Sequence, residues 1–320
     1  MATVAEAPAS AQGLVSHTPF QFSPAEKEAR PVRGLIDGPP GSGRTLTALR
    51  MASALGDKIA VIDTERGKSR HYADQVAHQV TEMTTFHPLD LCLALYAAAD
   101  YDVVIIDCWS AFWNGPEGVR DQVAQKSARR GVSVGNKDAA WNEVRPVERQ
   151  ALDAVLSFPG HLIATLRNRV EVVLTTDTAG RTVPTRFGTW AEQRDGLEYD
   201  VDFAASLLPT HELIVTKSSA PSLADGDFTD AVDAGAQLRQ WAERGVDRAP
   251  RAEFLHRAYD GTATYESLSE LAREIQVCRA AGMAAVDHRG RPVMLGDLVS
   301  YRLSKARSRE QAQDQQQAGA

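Results

Sequence analysis

The chain has few cysteines, no long apolar run and no excess of positive charge, and each shortage removes a class of protein. Its 320 residues include three cysteines, Cys92, Cys108 and Cys278. They are too far apart to pair as zinc ligands and too few for a disulfide-stapled scaffold, so they read as buried thiols. No apolar stretch approaches the roughly 18 residues that span a bilayer, and the N-terminus lacks the charged-then-apolar order of an export signal. The expected location is the cytoplasm, with no membrane partner. Lysine and arginine number 35 against 42 acids, a net charge of −7, so no global field draws the chain to nucleic acid and any such contact needs a local patch. No segment repeats at a solenoid period. What is present is 43% hydrophobic residues over 320 positions, enough for one large core in one or two domains.

The most specific stretch is Gly38-Pro39-Pro40-Gly41-Ser42-Gly43-Arg44-Thr45, and it too lacks something. Two glycines five apart, then a cation and a hydroxyl, form a P-loop, whose backbone N–H groups curl around phosphate oxygens before a helix begins. Here the cation is arginine where lysine is the rule. The context is the required one: Arg33 to Asp37 reads as a short buried strand and Leu46 to Leu55 as a helix. Candidate phosphate contacts are therefore Gly38, Pro39, Pro40, Gly41, Ser42, Gly43, Arg44, Thr45 and Leu46. Guanidinium is longer, planar and forked, so it neutralises phosphate without reproducing the placement of a compact ammonium. Catalysis by such loops is mostly positioning plus charge, so retained binding with slow hydrolysis is expected. Lys68 and Lys217 are the first candidates for a compensating cation.

Two strands downstream end in acids. Lys58 to Asp63 runs into Thr64-Glu65-Arg66-Gly67, and a carboxylate at the C-terminal end of a parallel strand faces the ligand crevice of an open α/β sheet. Glu65 is the candidate base for an attacking water; Asp63 is a weaker one. Tyr101-Asp102-Val103-Val104-Ile105-Ile106-Asp107 is four apolar residues ending in an acid, the Walker B pattern. Asp107 and the hydroxyl of Thr45 are the candidate holders of Mg²⁺. His161 to Thr165 reads as a further strand running into Leu166-Arg167, which makes Thr165 and Arg167 candidate sensors of the γ-phosphate.

The order of these pieces resembles the RecA-like core ATPases and, within them, phage-encoded AAA-type proteins related to RecA recombinases. The likeness is carried by GPPGSGRT at 38–45, VIDTERG at 61–67, VVIIDCWS at 103–110, Trp141, ATLRNRVEV at 164–172, AEQRDGLEYDVDF at 191–203 and IVTKS at 214–218. It covers about residues 33 to 220. The resemblance implies ATP and Mg²⁺ as cofactors, head-to-tail assembly of like subunits, and action on single-stranded DNA in recombination or annealing, with a single-strand binding protein as a possible loader. It also implies that Lys217 faces the ATP of a neighbouring subunit.

The fold expected is α/β: a mostly parallel central sheet with helices on both faces, an antiparallel extension, and a small helical C-terminal appendage. Strands are expected at 33–37, 58–63, 102–107, 160–166, 169–175, 181–187, 197–207 and 211–217, and helices near 44–55, 69–79, 88–99, 138–157, 234–244 and 264–281. Residues 1–30 and 306–320 read as disordered tails, 31–245 as the core and 246–305 as the appendage. For DNA, Arg120, Lys126, Arg129, Arg130 and Lys137 against the single acid Asp121 suggest a mobile basic loop. A second candidate is the hairpin region with Arg181, Arg186, Phe187 and Trp190. The run Arg302, Lys305, Arg307 and Arg309 reads as a frayed basic tail. Two other readings stay open: a nucleotide-gated switch with little turnover, favoured by Arg44, and a vestigial scaffold, disfavoured by intact Thr45, Glu65 and Asp107. A P-loop kinase fits less well, for nothing marks an acceptor site or lid.

Overall fold

In the parallel strands, neighbouring apolar residues point to opposite faces, and both faces are covered, which is why these strands read as unbroken hydrophobic runs. The computed structural model describes residues 24–131, 134–176, 182–193, 196–226, 228–246 and 251–318. Its main sheet has β1 (Arg33–Gly38), β2 (Ile59–Asp63), β3 (Gln79–Glu82), β4 (Val103–Asp107), β5 (His161–Thr176), β6 (Thr182–Ala191), β7 (Phe203–Leu207), β8 (Leu213–Ser218) and β9 (Phe228–Thr229). The order is β3-β2-β4-β5-β1-β7-β8-β9, with β6 paired to β5. β3 to β7 along this order run parallel, and β8, β9 and β6 are antiparallel additions.

Ile36, Val61 and Ile105 face one side of the sheet, where α1 (Arg44–Leu55) and α6 (Ala231–Ala242) supply Leu49, Met51 and Leu238. Gly235 of α6 makes that approach possible, since a Cβ there would lie 2.5 Å from the Met51 carbonyl oxygen. Leu35, Ile62 and Ile106 face the other side, against Leu91 and Leu95 of α2 (Pro88–Ala97) and Val155 of α5 (Val134–Leu156). Short α3 (Ser110–Asn114) and α4 (Val119–Arg130) precede α5. Beyond the sheet, α7 (Arg251–Tyr259), α8 (Tyr265–Val277), the hairpin β10 (Ala284–Val286) and β11 (Pro292–Met294), and α9 (Leu295–Ala318) enclose a core of their own around Phe254, Leu271, Ile275 and Leu295. Tyr96 of α2 packs against it.

Several local expectations change. The strands expected at 160–166 and 169–175 are one 16-residue strand, β5, long enough to serve the parallel sheet with its first half and β6 with its second. Within the stretch 197–207 only Phe203–Leu207 is strand, and Leu197–Asp200 is a 3₁₀ turn. The helix expected at 69–79 is a single 3₁₀ turn, Lys68–Tyr72, followed by the edge strand β3. β3 has no buried residue, so it carries no hydrophobic signal. The segment 120–137 is not a loop: α4 and α5 form a helical hairpin because Val119 and Val123 pack on Ala140 and Val144. Residues 306–318 continue α9, a run of Gln, Ala, Arg and Glu without Gly or Pro until 319, which favours helix. Residues 1–23 lie outside the described residues, whereas Ala29 and Arg30 donate backbone hydrogen bonds to Val246 and Ala242. The turn at His288 to Arg291 joins β10 to β11. No described helix is long and apolar enough to cross a membrane.

Candidate active site

The loop after β1 turns on Gly41 (φ +79°) and Gly43 (φ +91°), left-handed positions that L side chains resist. A Cβ at Gly41 would meet nothing within 4 Å, so the concave side of the loop is open. α1 then begins with no side-chain cap and no acid in its first turn. Its leading N–H groups and positive dipole end are left for an anion. The buried Ser42 Oγ has no partner among the described residues and lies against Gly38, where a Cβ would come within 2.5 Å of it.

Thr45 sits in the first turn of α1, and its hydroxyl donates to Asp107 Oδ2 at 2.7 Å. Thr165 donates to the other oxygen at 2.6 Å. Burial pushes the Asp107 carboxyl up against the pull of these two hydrogen bonds, and the charges of Glu65 and Asp63 push the same way. Among the described residues no three His, Cys, Asp or Glu side chains cluster as a metal site, so Mg²⁺ held by Thr45 and Asp107 would complete its shell with phosphate and water oxygens.

Asp63 ends β2 opposite Asp107 in register. It is fully buried and spent on backbone: Oδ1 accepts from Glu65 N at 2.6 Å, and Oδ2 from Ser69 N at 3.2 Å and Ser69 Oγ at 2.8 Å. It fixes the turn that carries Glu65 and Lys68 and is not itself a base. The Glu65 carboxylate is held by Lys68 Nζ, 3.0 Å from Oε2, and by Arg167 Nη2, 2.8 Å from Oε1. Burial raises its proton affinity, but the hydrogen bonds and charges of Lys68 and Arg167 outweigh this and keep the carboxyl below the usual range.

Arg44 lines the cleft but is tied back to its own loop. Its Nη1 donates to the carbonyls of Gly38 and Pro39 beneath the loop, and its buried Nε is without a partner among the described residues. Gly38 and Pro39 therefore serve the underside, while Pro40 to Thr47 line a cleft of about 840 Å³ shared with Arg50, Glu65, Lys68, Tyr72, Arg167, Asn168, Glu192 and His211. His211, on the β7–β8 turn, bonds the Ser42 carbonyl through Nδ1 at 2.9 Å; a carbonyl only accepts, so Nδ1 carries the proton. Asn168 donates to Asp37 at 2.7 Å, which braces the tip of β1.

The structure thus brings Thr45, Glu65 and Arg167 around one cleft with the loop, while Asp107 and Thr165 lie buried behind Thr45, joined to it through the Asp107 carboxylate. It does not bring Lys217 there: Nζ donates to the carbonyls of Glu198, Tyr199 and Val201. Thr165 is fully buried on Asp107, so it steadies that carboxylate and does not face a ligand. Lys126 and Arg130 are ion-paired with Glu143, whereas Arg129 and Lys137 are exposed on α4 and α5. Arg186 and Trp190 lie on β6, but their side chains, with Phe187 and all of Arg181, are outside the described residues. Arg302 donates to the carbonyls of Ala258 and Asp260, so the basic run near it belongs to an ordered helix. Arg50, Tyr72, Glu192 and His211 were not legible as site residues, though Glu192 falls within a segment that carries the family resemblance; Asn168 belongs to the polar strand tip that the sequence marks as a candidate sensor.

No curated protein matches the chain. Among solved structures, an ATPase from the type III secretion system of pathogenic bacteria is similar at a TM-score of 0.30 and 13% identity, over 86% of this chain and 80% of that one. The AAA domain family matches residues 30–205, which is more than half of the chain and runs from the strand before the loop through β7. With its phosphate loop, acidic strand ends and intervening β5 inside that match, the chain belongs to the AAA domain family.

Proposed function

We propose that the chain binds ATP with Mg²⁺ in this cleft and hydrolyses it slowly, using the nucleotide state to control a partner. The observation that carries this is one cleft lined by the phosphate loop, by Thr45, whose hydroxyl is joined to Asp107 at 2.7 Å, and by Glu65, at the uncapped start of α1. The loop N–H groups bind the phosphates, and Glu65 accepts a proton from water. The water oxygen bonds to the γ-phosphorus while the bond to the β,γ-bridging oxygen breaks, releasing ADP and phosphate. Thr45 and Asp107 would hold Mg²⁺, which would supply positive charge against the phosphates.

The proposed partner is single-stranded DNA, with subunits assembled head to tail, a reading supported by the resemblance to RecA-related ATPases and by the exposed Arg129 and Lys137. A second reading, a switch that binds ATP with little turnover, is favoured by Arg44, whose guanidinium is engaged with the carbonyls of Gly38 and Pro39. Calorimetric titration with ATP, together with turnover measured with and without single-stranded DNA in the wild type and Glu65→Gln, separates them. DNA-stimulated turnover lost by about 10²-fold or more in the variant supports the motor. Tight binding without turnover supports the switch, and no ATP binding sinks both.

A further inference from the structure

The cleft contains a base already engaged by cations, beside a loop whose own cation is tied to the loop's carbonyls through Nη1. Arg44 is spent on the carbonyls of Gly38 and Pro39. Arg50 is six residues further along α1, roughly 9 Å by helical rise, and so belongs to the outer end of the cleft. Lys217 is spent on three carbonyls elsewhere. Arg167 grips one oxygen of Glu65 with two nitrogens, at 3.2 and 2.8 Å, and its backbone N is tied to Ser110 Oγ at 2.9 Å. Lys68 differs from all of these. Its side chain is 63% exposed, and the one hydrogen bond described for it, 3.0 Å long, is to Glu65 Oε2. Its backbone is nonetheless fixed, because Gly67 makes the left-handed entry to the turn and Asp63 holds the following Ser69.

We propose that Lys68 is the γ-phosphate cation that replaces the absent lysine of the loop, and that it reaches the phosphate by leaving Glu65. This rests on the reading that the cleft binds ATP. A base placed to deprotonate the attacking water is within a few ångströms of the γ-phosphate oxygens, so an ammonium on its carboxylate is already at their edge. The terminal phosphate carries more negative charge than one carboxylate and attracts the ammonium more strongly at equal distance. The transfer frees Oε2 of Glu65 to accept a proton. ADP, lacking the γ-phosphate, leaves Lys68 on Glu65 and the base masked. One side chain thereby couples recognition of the triphosphate to activation of the site.

The test is the ratio of affinities for a non-hydrolysable ATP analogue and for ADP, measured by calorimetry with Mg²⁺ on the full chain. Lys68→Met is expected to weaken the analogue by about tenfold or more, the worth of a charge-assisted hydrogen bond, with ADP affinity unchanged. Glu65→Gln, which releases Lys68 in the resting state, is expected to tighten the analogue, and the gain should vanish in the double variant. An analogue-to-ADP ratio in Lys68→Met within about twofold of wild type overturns the inference while leaving ATP binding intact. No binding of either nucleotide by the wild type overturns the functional reading and this inference together. Unchanged ADP affinity also shows that each variant is folded.

Discussion

Thr45 and Asp107, 62 residues apart in sequence, meet through a hydrogen bond of 2.7 Å. The contact ties the first turn of α1 to the end of β4 and so sets the mouth of the cleft. It also fixes a hydroxyl and a carboxylate oxygen side by side, the donor pair a hard divalent cation requires. β5 lies between β4 and β1, and this spacing lets the acid sit beneath the helix instead of beside the loop's strand. Thr165, in the first half of β5, holds the other Asp107 oxygen.

Removal of that hydroxyl should uncouple nucleotide binding from Mg²⁺. In Thr45→Ala, the tightening of ATP binding by Mg²⁺ is expected to shrink by about tenfold or more, while Thr45→Ser retains it. Calorimetric titrations with Mg²⁺ and with EDTA measure this directly. Equal Mg²⁺ dependence in wild type and Thr45→Ala would remove Thr45 from the metal's shell.

The chemistry of the site was legible in sequence wherever one short run fixes it. Gly38 to Thr45, Glu65 and Asp107 each follow an apolar strand, and strand ends in a parallel sheet converge on one edge. The braces were not legible. Asp63 and Asp107 look alike as acids ending apolar runs, yet Asp63 is spent on Glu65 and Ser69, because the chain after it turns at Gly67 back onto its carboxylate. Lys217 sits in a segment of the resemblance but reaches the 3₁₀ turn at Glu198 to Val201, a contact set by β7–β8 pairing and not by local pattern. The basic stretch 120–137 failed for the converse reason: its apolar residues are sparse, and Val119 and Val123 find their partners only once α5 folds against them.

Arg33 is a second prediction, and it concerns stability. It is 4% exposed and donates to the carbonyls of Leu156, Val32, Gly160 and Phe158. Burial foremost, then the charge of Arg251, lowers its pKa to about 9, partly offset by Asp202; it stays charged at neutral pH. Arg33→Ala leaves those buried carbonyls short of a donor, while Asp202 keeps its ion pair with Arg30, a loss of about 3 kcal/mol. Urea unfolding should show a lower midpoint with a similar slope. A midpoint shift worth under about 1 kcal/mol would mean the guanidinium contributes packing alone.

His161 predicts a pH dependence. Its Nδ1 accepts the Val32 N–H at 3.0 Å, so the folded ring is neutral. Burial, then the charge of Arg33, lowers its pKa from 6.5 to about 4. The unfolded chain takes up a proton as pH falls below 6.5 and the folded chain does not until about 4, so stability drops across that window and is intact above it. Between pH 6.5 and 5.0 the loss from this residue is about 2 kcal/mol. His161→Asn offers an uncharged acceptor, and its unfolding free energy should depend less on pH by that amount. Parallel slopes for the two proteins would show that His161 is protonated in the fold.

The last prediction concerns α4 and what it can bind. Glu143 is engaged by both Lys126 and Arg130, and these contacts pull its carboxyl below the usual range. Two of the cations that make this stretch look basic are therefore neutralised in place. Arg120, hydrogen-bonded to Asn114, and Arg129 and Lys137 are the exposed remainder. If this face follows a single-stranded DNA backbone, Glu143→Ala releases two cations and binding tightens, with the log–log salt dependence steeper by about 0.7 for each added phosphate contact. Arg129→Ala with Lys137→Ala acts oppositely, weakening binding across sequences and flattening the slope. Fluorescence anisotropy of a labelled oligonucleotide over a salt series reads both changes. If neither substitution moves affinity or slope, the α4–α5 hairpin is not the DNA surface, and the proposed partner must be sought on β5 and β6, where Arg186 and Trp190 lie.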